Sequence, residues 1–140
     1  MMRQAFDQIS VSTRGRGIYE ITSDVRQIVK GSGLTDGAVT LHVQHTSASF
    51  LIQENADPEV RDDLERFFSR LCPDGDRLFQ HTYEGPDDMP AHIRTALTSV
   101  NTTIPFRGGT MVLGTWQGIY LWEHRTHPHR RNIVLYLCGE

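Results

Sequence analysis

Between residues 37 and 45 the chain alternates, with Val39, Leu41, Val43 and His45 on one side and Thr40, His42 and Gln44 on the other. That period of two predicts a half-buried strand over GAVTLHVQH. ASFLIQE reads as a second strand, with Phe50, Ile52 and Glu54 sharing a face. Nearer the start, AFDQISVST and GIYEI predict short strands flanking Arg14-Gly15-Arg16-Gly17. TSDVRQIVKGSG changes to helical spacing through Val25, Ile28 and Val29, with Thr22 or Ser23 as the cap and Gly31 as the stop. Asp57-Pro58 opens a second helix, aspartate as N-cap and proline in the first helical position. Val60, Leu64, Phe67, Phe68 and Leu71 give that helix an apolar face, and Cys72-Pro73-Asp74-Gly75 ends it. A third helix is expected from around Met89-Pro90, striped by Ile93, Ala96, Leu97 and Val100. TMVLGTW, GIYLWEH and NIVLYLC close the chain as β segments, the last two joined by RTHPHRR as a hairpin. Strands at both ends with helices between them predict an α+β fold. The expected core is sheet-rich and sandwich-like, its strands mixed or antiparallel, with two to three helices.

No repeat or linker-like stretch divides the 140 residues, so one domain over 1–140 is expected. A chain near 150 residues buries roughly 70% of its extended surface, enough for a true core. The formal charge of −3, with no basic arm, argues against a nucleic-acid binder. No apolar run approaches the length of a membrane helix, and MMRQAFDQIS does not read as a signal peptide, so a cytoplasmic protein is expected. Cys72 and Cys138 stand in no metal-ligand spacing and read as reduced thiols.

Chemistry-bearing groups recur where strands end. His45 is followed by Thr46 and Ser47, a trio that either contacts a substrate or forms an ordinary turn. Glu54 and Glu123 each close an otherwise apolar strand face; a buried carboxylate needs a partner, and for Glu54 that is naturally His45 or an arginine such as Arg125. His45, Glu54 and Glu123 are therefore expected to cluster at one end of a sheet, with His92 capping the cluster. In HTYEGPDDMPAH, His81 and His92 are eleven residues apart, no standard zinc spacing, and either Asp87 or Asp88 could cap the coming helix. Local physics reads the stretch as a helix entry; strand-end partners would make it one wall of a site. Arg125 is either an anion clamp or half of a surface ion pair. His127 and His129 read as solvated.

Three long motifs, HTSASFLIQENADPEVRDDL, EGPDDMPAHI and LGTWQGIYLWEHR, stand in that order and resemble the YjbQ-type family from about residue 5 to 139. Only the histidine-rich 124–131 segment looks individual. The resemblance implies a sandwich-like α+β fold, a homotrimer and polar clefts near subunit boundaries. It also implies a secondary thiamine-phosphate synthase, a transferase joining a hydroxymethylpyrimidine diphosphate to a thiazole phosphate with release of pyrophosphate. Carried onto this chain, the catalytic set is His45, Ser47, Glu54, His92, Glu123 and Arg125. Asn55, Asp57, Glu84, Asp88 and Gln117 are expected to bind the small phosphorylated substrate, and His45, His81 and His92 to hold a divalent metal, Mg or Zn. Asp88 is expected as helix cap or support for the site, and Asp87 as solvated. A metal-dependent hydrolase and a non-catalytic small-molecule binding module are the alternatives.

Overall fold

The computed structural model describes residues 1–140. It contains β1 (Arg3–Ser12), β2 (Gly17–Glu20), α1 (Thr22–Gly31), β3 (Gly37–Val43), β4 (Ala48–Glu54), α2 (Pro58–Leu71), α3 (Asp88–Leu97), β5 (Asn101–Arg107), β6 (Thr110–Met111), β7 (Gln117–Glu123) and β8 (Arg130–Gly139). Two antiparallel sheets, β1-β8-β3-β5-β6 and β2-β7-β4, curl around one core. The alternating residues Val39, Leu41 and Val43 meet Ile133, Leu135 and Leu137 from β8 and Ile119 and Leu121 from β7 in that core. The α+β expectation holds.

Each helix is placed by a different device. Asp57 accepts Glu59 N–H at 2.9 Å, capping α2 with Pro58 in its first turn as expected. Asp57→Ala should therefore cost about 1 kcal/mol in urea unfolding. An unchanged midpoint would show that the cap contributes nothing. On α1 the expected cap fails: Ile21 holds the cap position, and Thr22 is already helical. Its hydroxyl accepts Ile119 N–H at 2.8 Å, tying the helix to β7 instead of capping it. Val25 and Val29 then seal the core. On α2, Phe68 packs edge-on to Trp122 of β7 at 4.9 Å, while Phe67 and Leu71 stay exposed.

Three expectations are corrected. The last two strands form no hairpin, because β7 lies in the small sheet and β8 in the large one, so residues 124–129 cross between sheets. TMVLGTW contributes only the short β6, and the strand before it, β5, was not anticipated. Only Ile104 and Phe106 of β5 are buried, and Pro105 argues locally against a strand. The stripe expected on α3 is not its buried face. Asp88, Pro90, Ala91 and Arg94 are buried, while Leu97 is exposed. The helix turns its polar side inward because that side has partners: Arg94, fully buried, lies 2.7 Å from Glu65 and donates to Ser69 of α2.

Candidate functional site

The segment between α2 and α3 carries His81 and is tied down at both ends. Gly75 N–H donates to Pro86 carbonyl at 3.0 Å, closing its base. Both terminal nitrogens of Arg16 grip the Asp74 carboxylate at 2.9 Å. Gly85 has φ +108°, a conformation that L side chains avoid, and a Cβ there would come within 3.2 Å of Asp87 Oδ1. Glycine thus lets the chain double back directly into Asp87 and Asp88 at the start of α3.

Those two aspartates are nearly inaccessible, each 2% exposed, so Asp87 is not solvated as expected. Its Oδ2 accepts from Arg125 Nε, Thr126 N–H and the Thr126 hydroxyl at 2.9–3.1 Å. Burial alone would raise its pKa, but those donors outweigh burial and hold it well below the usual carboxylate range. Asp88 is depressed for a similar reason: burial raises it, and His81, His92 and Arg125 pull it down further. The Arg125 guanidinium turns all three nitrogens to the protein, Nε donating to Asp87, NH1 lying 2.9 Å from Asp88 Oδ1, and NH2 donating to the Glu84 carbonyl at 2.9 Å. The Glu84 carboxylate is looser, 4.0 Å from Arg125 and mostly exposed. Arg125 orients the acidic pair, and most of its donors already face protein oxygens.

On the other side of Asp88 stand the two histidines. His81 Nε2 is 2.6 Å and His92 Nε2 3.0 Å from the same oxygen, Oδ2. Asp88 and His92 are four apart on α3, which puts them on one helix face. His92 Nδ1 lies 3.1 Å from the Thr46 carbonyl, which can only accept, so Nδ1 carries the proton. In a neutral ring Nε2 then presents a lone pair to a carboxylate lone pair. A positive charge between them, a second ring proton or a metal ion, resolves the conflict. One ligand atom from each of His81, Asp88 and His92 lies within 4.8 Å of the other two. Two imidazoles and a carboxylate form a zinc-type donor set, whereas Mg prefers oxygen ligands.

The other expected residues divide into two groups. His45 stays near the site but outside the metal cluster, because its Nε2 accepts Asn132 N–H at 2.9 Å. Burial, then Arg131, lowers its pKa. Glu123 is fully buried and Ser47 nearly so, both bound to Arg131, which donates to Glu123 Oε1 through Nε at 2.8 Å and to Ser47 Oγ at 2.9 Å. They stiffen the wall behind Arg125, whose N–H reaches Glu123 Oε2 at 3.2 Å. Glu54, Asn55, Asp57 and Gln117 lie elsewhere. β4 and β7 pair Ala48 with Glu123 and Glu54 with Gln117, so Glu54 and Glu123 sit at opposite sheet ends. At about 3.4 Å per residue that is roughly 20 Å. The expected single cluster does not form. Glu54 accepts Asp57 N–H and Gln117 accepts Gly114 N–H, both local turn bonds, while Asn55 N–H donates to the Trp116 carbonyl where β4 and β7 end side by side.

Sequence reasoning missed Arg94 and His124 altogether. His124 is fully buried, with Nε2 2.8 Å from Ser49 Oγ and Nδ1 without a partner. Alternation through Tyr120 and Trp122 would have put it on the face that α2 covers. His129 is only partly exposed, 3.8 Å from Glu123. No helix is long and apolar enough to cross a membrane.

The sequence model of the family described as UPF0047 protein YjbQ-like matches residues 7–140. A UPF0047 protein of Synechocystis sp. is 46% identical over 138 residues, covering 99% of this chain and 94% of that protein. The UPF0047 protein YjbQ of Escherichia coli O157:H7 is 41% identical, covering 94% and 96%. Among solved structures, a protein of unknown function from Sulfolobus solfataricus P2 superposes with TM-score 0.91 at 28% identity over 100% of both chains. An uncharacterised protein from Clostridium acetobutylicum gives 0.84 at 34%, covering 92% and 97%.

Proposed function

The chain belongs to the UPF0047, YjbQ-like family, and from its His–Asp–His group we propose a metal-dependent enzyme acting on a small phosphorylated substrate. The carrying observation is that His81, Asp88 and His92 each bring one ligand atom within 4.8 Å of the other two, and that His92 Nε2 faces Asp88 at 3.0 Å across a gap that takes either a second ring proton or a metal ion. Three protein ligands, with His81 still 44% exposed, leave a position open to a substrate oxygen, as catalytic zinc sites do. Bound there, the ion would supply Lewis acidity to a phosphoryl oxygen. Asp88 anchors both histidines, the Thr46 carbonyl fixes the His92 tautomer, and Arg125 and Asp87 hold Asp88 in place. Such outer partners set ligand orientation and basicity.

The first reaction to test is the condensation that the family resemblance implies, a hydroxymethylpyrimidine diphosphate with a thiazole phosphate, releasing pyrophosphate. Departure of diphosphate needs charge neutralisation, which on this reading falls to the metal because Arg125 is already occupied. Hydrolysis of one phosphate ester is the second reading. It is favoured by a neighbouring cleft lined by His42, His45 and Thr46 but by no lysine or arginine, which suits one phosphate better than two. We also propose a homotrimer, supported by the exposed aromatic pair on the edge strand β1 and its neighbour β8, where Phe6 is 73% exposed and packs tilted against Tyr136 at 5.1 Å. Light scattering should give three times the chain mass, and a monomer at micromolar concentration would refute the assembly.

Metal analysis of tag-free protein dialysed against zinc should find one zinc per chain, absent from the His81→Ala/His92→Ala double variant. Both reactions are then assayed on the zinc-loaded chain. No stoichiometric zinc in the native chain would sink the reading.

A further inference from the structure

His45 is locked in one tautomer by the main chain. Asn132 N–H donates to its Nε2 at 2.9 Å, and a backbone amide can only donate, so Nε2 holds the lone pair and Nδ1 the proton. A doubly protonated ring would set N–H against N–H and lose the bond. Nδ1 has no hydrogen-bond partner within the chain and is not buried, and the ring borders an open space. That space is a cleft of about 680 Å³ whose walls include His42, His45, Thr46 and His92. The fixed donor and the histidine of the cation cluster therefore share one cavity. Thr46, whose carbonyl orients His92, follows His45 directly in the chain. No carboxylate lines the cleft, so an oxyanion entering it meets no like charge.

A neutral N–H pre-oriented on a rigid wall stabilises an oxyanion without reorganising as it binds. We propose that His45 is a substrate-positioning donor, its Nδ1–H bonding a phosphoryl oxygen of the ligand held at the His81–Asp88–His92 cluster. The inference rests on the metal reading above for the location of the phosphate, and its own content is the donor. It replaces the expected role of His45 as a metal ligand.

The test uses the full chain, zinc-loaded, with inorganic phosphate as probe. Long-range proton–nitrogen spectra should show His45 protonated at Nδ1 alone, and the Nδ1 resonance should shift saturably with phosphate. His45→Phe should weaken phosphate binding about tenfold or more. His45→Gln keeps an acceptor for Asn132 N–H and a donor for the ligand, and should stay within about threefold of the native chain. Protonation at Nε2 would overturn the proposal, as would phosphate binding undiminished in a folded His45→Phe chain. If the phenylalanine variant does not fold, the tautomer and the phosphate shift in the native chain decide. If the native chain takes no zinc, the metal reading fails separately. The titration is then run metal-free: a phosphate shift at His45 sustains the donor role, and its absence ends it.

Discussion

Replacing Glu123 with alanine is expected to cost about 3–5 kcal/mol of unfolding free energy, because it strands a buried guanidinium. Glu123 is 0% exposed and Arg131 3%, so neither charge can fall back on water. The glutamate satisfies its oxygens with four donors: Arg131 Nε and NH2, the Thr13 hydroxyl at 2.7 Å and Arg125 N–H. Removing the carboxylate takes an acceptor from all four; Thr13 can turn to the His129 carbonyl and Arg131 NH2 keeps Ser47, but the Arg131 charge loses its counterion and dominates the penalty. Glu123→Gln, which keeps the shape and part of the bonding, should fall between native and alanine. The paired change Glu123→Leu with Arg131→Met should recover most of the loss, since a well-packed apolar pair avoids desolvating two charges. Urea unfolding of the four proteins checks this. A loss below about 1 kcal/mol in the alanine variant would mean that water reaches the pair. The prediction also separates fold from chemistry: activity lost in Glu123 variants should follow the folded fraction.

How far the sequence reached can be judged from individual residues. The alternation at Val39, Leu41 and Val43 located β3 and its buried face, since period two is a direct image of the pleat. The same rule located Glu123 on an apolar face but could not name its partner. Extending the β8 alternation back from Ile133 by two residues would have found Arg131. Joining Glu54 to Glu123 failed for a topological reason. Both end their strands at the C-terminal side, and two such ends meet only if neighbouring strands run parallel, whereas β4 and β7 are antiparallel. Chain direction within a sheet is set by distant pairing, which local pattern does not carry. The α3 stripe failed because hydrophobicity ranks faces only where buried polar groups lack partners. Here Asp87, Asp88 and Arg94 all have them. Of the His–Asp–His group, His81 and His92 were expected as metal ligands from the family resemblance and Asp88 was not, although its spacing of four from His92 puts the two on one helix face. His81 arrives from a loop, and only the folded chain places it.

Acid should weaken the fold well above the range where carboxylates protonate, and His124 is the reason. Burial first, then Arg94, Arg16 and Arg131, push its pKa down to about 2; an unfolded histidine titrates near 6.5. The folded pKa lies below the unfolded one, so the unfolded chain takes up the proton first. The contribution is complete above about pH 6.5 and is lost progressively as pH falls towards the folded value. From about pH 7.5 to pH 4.5 the loss from this one group is roughly 2–3 kcal/mol. His45 shifts in the same direction, but its ring is partly open to solvent and adds less. Asp87 and Asp88, also depressed, contribute losses mainly below about pH 4, which leaves the interval above that to the histidines. His124→Gln can keep a hydrogen bond to Ser49 Oγ, as donor or acceptor, while removing the titration. Its unfolding free energy should be flatter than that of the native chain over the same interval. Parallel slopes for the two proteins would show that His124 takes up its proton without unfolding, and would remove it as the source of acid sensitivity.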